Sequence, residues 1–161
     1  MATRNFLKPT TEAILNKAVH SELFASNLYK HLSNHMQRMG FFGAQKFFAG
    51  ESADELTHYQ KLADYMNDRG SVANIPMVEA MRDKPTGLLD ALEVAFDTEV
   101  ELMENYEKWY DEADCITQQF LLQFLEIQRK SVGEYGDLLA RTQLVGDDKC
   151  GLIIIDQELG A

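Results

Sequence analysis

Glu55 and His58 stand three residues apart in the segment ESADELTH, so on a helix both side chains leave the same face. One such pair is common by chance. It gains weight because single carboxylates or amides recur in three other helix-patterned segments: Glu22 in HSELFASNLY, Glu99 in FDTEVEL and Gln128 in LEIQRKS. Glu, His and Gln projecting inward from facing helices make the oxygen-and-imidazole ring by which a bundle core holds a pair of metal ions. Two such ions a few ångströms apart need a bridging carboxylate to offset their charge. Glu55 is placed to bridge, between Glu22 with His58 on one side and Glu99 with Gln128 on the other. Ionised carboxylates facing one core without a cation are destabilising, and a metal resolves that conflict. Iron in either common oxidation state suits these donors. Gln128 is neutral and a weak donor, which suits an iron that arrives, is oxidised and leaves.

Positioning these residues requires long helices, and the punctuation of the chain allows them. Pro9, Thr10 and Thr11 open a first helix whose apolar stripe runs through Ile14, Ala18, Leu23, Leu28 and Leu32 and which stops near Gly40. A second is expected from about Phe42 to Arg69, with Phe47, Phe48, Leu56, Tyr59 and Leu62 on its buried side and Gly70 as its cap. The third runs from about Thr86 to Ala113. The fourth runs from about Cys115 to Val145, ended by Gly146. SVANIPMVEAMRDKP is an irregular connection of about fifteen residues, long for a bundle, where short loops are the rule. Its length fits a crossover along the bundle between parallel neighbours. GDDKCG is a turn, and LIIIDQEL after it reads as one short fifth helix or a strand-like tail. Residues 1–161 are expected to form a single all-α domain, a four-helix bundle with an appendage.

The chain of 161 residues is long enough to bury a real core, and apolar residues at 45% argue for a folded protein. A net charge of −11 makes nucleic acid an unsuitable partner and cations suitable ones. Cys115 and Cys150 are too few for a disulfide framework or a zinc cluster and read as free thiols. MATRNFLKP has no apolar run that could serve as a secretion signal, and no segment reaches the length of a membrane span. The expected location is the cytoplasm, without membrane association.

The segments that carry the chemistry resemble those of ferritins along nearly the whole chain. ELFASNLY is similar to the ferritin stretch in which a ligand Glu is followed seven residues later by a Tyr beside the di-iron centre, here Glu22 and Tyr29. ESADELTH resembles the stretch around the bridging Glu and the His, here Glu55 and His58. ALEVAFDTEVEL resembles the segment that brings Glu99, and LIIIDQEL resembles the tail of bacterial ferritins, which implies a short fifth C-terminal helix. Gln128 with Ser131 resembles the heavy-chain type of ferroxidase centre. A bacterioferritin would carry a second Glu-x-x-His pair on helix four, where Gln128-Arg129-Lys130-Ser131 stands, and a haem-ligating Met where Leu56 stands; no haem is expected. Many bacterial ferritins add a third iron site through glutamates on helix four, but Ile127, Lys130 and Ser131 occupy those positions. Glu51 and Asp54 are the substitutes for a transit or third site, although they serve equally well as a solvated acidic face. At the three-fold pores, which animal ferritins line with acidic residues, the nearest matches are Gln118 and Leu121.

The resemblance implies an iron-storage ferritin with ferroxidase activity. Two iron ions per subunit would bind Glu22, Glu55, His58, Glu99 and Gln128, and oxygen or peroxide would take their electrons. The ferric product would become a mineral inside a homo-oligomeric cage of twenty-four subunits. Tyr29 is expected in the core with its hydroxyl on a carboxylate, whether or not it takes part in catalysis. His20, His31 and His35 are expected at the surface without partners. The Phe41-Phe42 and Phe47-Phe48 pairs read as core or interface packing. Two other functions compete: a DNA-protecting mini-ferritin, which would place its ligands between subunits, and a metal-free helical bundle serving as a shell protein.

Overall fold

The computed structural model describes residues 4–161, and in them the chain forms five helices: α1 (Pro9–Met39), α2 (Phe42–Asp68), α3 (Leu88–Glu112), α4 (Cys115–Val145) and α5 (Lys149–Leu159). Pro9 sits in the first turn of α1, where its missing N–H costs nothing. Gly40 closes the helix with φ +89°, a left-handed value that favours glycine. The α4 start is held by Asp114, whose carboxylate accepts the Thr117 N–H at 2.9 Å. Asp148 does the same for α5 through the Gly151 N–H at 2.8 Å.

α1 packs against α2 and α3 against α4, and contacts of α1 with α3 join the two hairpins. Between the hairpins the chain runs in an extended crossover along α1. Its contacts advance in register: Ser71 with Glu12, the Asn74 N–H with Asn16 at 2.8 Å, Glu79 with His20 at 3.2 Å, and the Asp83 carbonyl with His31 at 2.6 Å. The strap thus returns the chain to the far end of the bundle, so α3 lies parallel to α2 and antiparallel to α1. Helical order, the long connection and a short fifth helix agree with the expected all-α bundle. The alternative of a strand-like tail for LIIIDQEL is corrected, since Lys149–Leu159 is helical.

α5 docks on α2 by a device that replaces a local cap. Phe41, at the start of α2, offers no side-chain cap, and the buried Asp156 of α5 accepts the Ala44 N–H at 2.7 Å instead. Gly43 lies against the Asp156 carbonyl so closely that no Cβ would fit.

Two sequence expectations need correction. Leu56 was assigned to the buried side of α2 but is 49% exposed, because Glu55 and His58 take the inward face of that turn. Of the Phe41-Phe42 pair, expected in core or interface packing, Phe42 lies outside the core, 65% exposed at the first turn of α2. His20 and His31 are not without partners, since both hold the crossover, and the ring of His35 lies edge-on to that of His31 at 4.5 Å.

Candidate metal centre

Four helices each bury one of the polar side chains singled out in the sequence. Glu22 comes from α1, Glu55 from α2, Glu99 from α3 and Gln128 from α4, and all four are buried. His58 follows Glu55 by one turn and is half-buried. Its Nδ1 lies 2.7 Å from Glu55 Oε2 and 3.6 Å from Glu22 Oε2, the second too long for a hydrogen bond but close enough to feel the charge. Glu22, Glu55 and His58 offer ligand atoms within 4.8 Å of one another, a spacing that a single cation could span.

Polar atoms sealed from water find partners almost everywhere in folded proteins. Among the described residues the exceptions concentrate here: Glu22 Oε2, Glu99 Oε2 and both amide atoms of Gln128 have none, with Asp114 Oδ2 elsewhere. The opposite oxygens are satisfied by phenols. Tyr29 donates to Glu99 Oε1 and Tyr106 donates to Glu22 Oε1. Tyr135 donates to Glu51 Oε2 at 3.0 Å, one turn before Glu55.

Removal from water dominates the charge state of this cluster. Burial, reinforced by Glu22, lifts the Glu55 carboxyl to about 10 against the opposing hydrogen bond from His58. Burial works to lower His58, but Glu22 and Glu55 overcome it and raise the imidazole to about 10. Burial also raises Glu99 to about 7, with the Tyr29 hydrogen bond opposing. Without a cation the cluster therefore retains protons at neutral pH. A cation that needs the deprotonated ligands would displace them.

A polar cleft of about 360 Å³ opens on the α2 and α4 side, lined by Glu51, Asp54, Glu55, His58, Ser131 and Glu134 among others. Glu51 is half-buried in it and Asp54 is exposed. Burial raises the Glu51 carboxyl, with the Tyr135 hydrogen bond opposing. The structure thus brings Glu22, Glu55 and His58 within ligand reach of one another, ties Tyr29 to Glu99, leaves Gln128 buried on α4 without a partner, and sets Glu51 and Asp54 in the cleft beside Glu55. Sequence reasoning missed Tyr106, Tyr135 and Glu134. A repeat of spacing could have found the first, because Glu99 and Tyr106 are seven apart, as are Glu22 and Tyr29.

The family model for the ferritin-like domain matches residues 12–145. A probable bacterial non-heme ferritin-like protein of Haemophilus influenzae is 30% identical over 151 residues, covering 91% of this chain and 92% of that one. A ferritin of Pacifastacus leniusculus is 31% identical over 153 residues, covering 90% of this chain and 84% of that one. In fold, the open pore ferritin of the archaeon Archaeoglobus fulgidus superposes with a TM-score of 0.93 at 23% identity, covering 95% of this chain and 97% of that one. With a family model spanning most of the chain and a relative of near-equal length, this protein belongs to the ferritin family.

Proposed function

We propose that this protein stores iron and oxidises it on the way in. Two Fe(II) ions bind as substrate within one subunit at Glu22, Glu55, His58, Glu99 and Gln128. Oxygen or peroxide takes one electron from each, and ferric product passes to a mineral inside a cage of twenty-four subunits. The observation that carries this reading is the set of partnerless oxygens on Glu22, Glu99 and Gln128 around the Glu55–His58 pair. Orphaned acceptors at that density cost stability unless a cation satisfies them. The protein's part is to fix the ions and keep positions open, while iron supplies the redox chemistry. The names of the relatives, non-heme ferritins, support a ferritin without haem; among the described residues no helix is long and apolar enough to cross a membrane.

Anaerobic titration with Fe(II) is expected to show about two tight sites per subunit, and a stoichiometry near zero would leave a metal-free shell protein. A mini-ferritin is the weaker alternative, because Glu22, Glu55 and His58 of one chain already lie within ligand reach of one another without a second subunit.

Glu51 and Asp54 serve as the exit stop. Glu51 lies one turn before Glu55 on the same face, and Glu134 of α4 adds a carboxylate to the same cleft. Ferric iron leaving the centre on that side meets these groups without a new gap in the core. Glu51→Ala is expected to leave the first oxidation of two irons per subunit nearly intact and to slow mineralisation severalfold on repeated additions. Stopped-flow traces of the first addition, set beside rates over many additions, check this. Equal rates in both assays would reduce Glu51 to a solvated side chain.

A further inference from the structure

Two phenols grip the centre from opposite helices, and they do so reciprocally. Tyr29 of α1 stands seven residues after Glu22 yet donates to Glu99 of α3. Tyr106 of α3 stands seven residues after Glu99 yet donates to Glu22 of α1. Seven residues are about two helical turns. Because α1 and α3 run antiparallel, each tyrosine crosses to the other helix's glutamate, and the two pairs are related by an approximate two-fold axis. Packing alone does not require the second hydroxyl. The Tyr106 ring is fully buried, stacked on Phe124 at 5.0 Å and edge-on to Trp109 at 5.1 Å, contacts that phenylalanine would make equally well.

The hydroxyls have a consequence for ligation. On each glutamate Oε1 accepts the phenol, and Oε2 is left buried with no partner. A carboxylate whose one oxygen is held by a fixed donor cannot rotate to offer both oxygens to an ion, and partners outside the ligand set orient ligands in this way. We propose that Tyr106 is a positioning residue that, with Tyr29, confines each terminal glutamate to one metal-binding oxygen, keeping a coordination position open at both ions. The proposal rests on the reading of Glu22, Glu55, His58, Glu99 and Gln128 as a two-metal centre. Loss of the Tyr106 hydroxyl frees Glu22 to chelate through both oxygens, closing a position that the oxidant would use.

Cobalt(II) tests this without turnover, since its visible absorption is strong at low coordination number and weak in an octahedral site. The assembled protein, Tyr106→Phe and Tyr29→Phe are each titrated with cobalt(II). In Tyr106→Phe the absorption per bound cobalt is expected to fall while two ions per subunit still bind. Tyr29→Phe is expected to show the same loss from the Glu99 side, and it carries the test alone if Tyr106→Phe does not assemble. Absorption per cobalt equal to that of the unmutated protein overturns the proposal, even with weakened affinity, because a merely structural role would weaken binding and leave coordination alone. Absence of cobalt binding by the unmutated protein overturns both this proposal and the two-metal reading beneath it.

Discussion

Glu55→Ala is expected to abolish the rapid phase of Fe(II) oxidation, slowing it by about a hundredfold or more, while the helices stay in place. Glu55 is the proposed carboxylate shared by both ions, so its loss removes a ligand from each position. It also releases His58, whose Nδ1 rests 2.7 Å from Glu55 Oε2. The fold survives because the change deletes a buried ionisable group rather than apolar packing. Stopped-flow absorbance after the first aerobic iron addition measures the phase, and circular dichroism checks the helices. A rapid phase of unaltered rate and amplitude would remove Glu55 from the centre.

The second large effect is on the metal-free protein and has the opposite sign. Burial raises the Glu55 carboxyl to about 10, far above the ordinary 4.5. Between those values the folded chain keeps a proton that the unfolded chain has released, so stability falls as pH rises from about 4.5 towards 10. At neutral pH the metal-free fold therefore carries a cost that it does not carry below pH 4.5. Glutamine presents nearly the shape of the protonated carboxyl and has no proton to take up. Metal-free Glu55→Gln is therefore expected to melt measurably above the unmutated protein near pH 7.5. The gap should narrow as pH drops towards 5. Adding metal should reverse the order, because ions that bind the folded state stabilise it by mass action and the variant has lost the bridging ligand. Calorimetry at both pH values, with and without cobalt(II), reads all four states. A variant that melts no higher than its parent without metal would show that the carboxylate imposes no such burden.

This tension between site and scaffold explains why the centre was legible in the sequence. Glu22, Glu99 and Gln128 interrupt apolar stripes, and a polar residue on a buried face demands a reason. The helix ends were legible for local reasons too: Pro9, Gly40 and Gly146 act on their own neighbours. What escaped depends on pairs distant in sequence. Gly43 and Asp156 are more than a hundred residues apart, and nothing in either segment announces that one caps the other's helix. The contacts of His20 and His31 with the crossover depend on where an irregular strap lies, which no periodicity encodes. Leu56 defeats the rule that an apolar residue on such a helix points inward, because Glu55 and His58 occupy that face. Tyr106 was hidden differently. A buried aromatic on an amphipathic helix looks like packing until its hydroxyl is traced to Glu22 on another helix.

The crossed Glu–Tyr pairs also bear on how such a centre can change over generations. A two-fold frame supplies equivalent seats, yet the seats are filled unequally: Glu55 and His58 on α2 face Gln128 and Ser131 on α4. Because each glutamate is steadied by a tyrosine from the opposite helix, substitutions on α4 need not disturb the orientation of Glu22 or Glu99. If the centre holds two ions as proposed, one seat could be retuned, or traded for a different metal or residence time, while its twin kept its geometry.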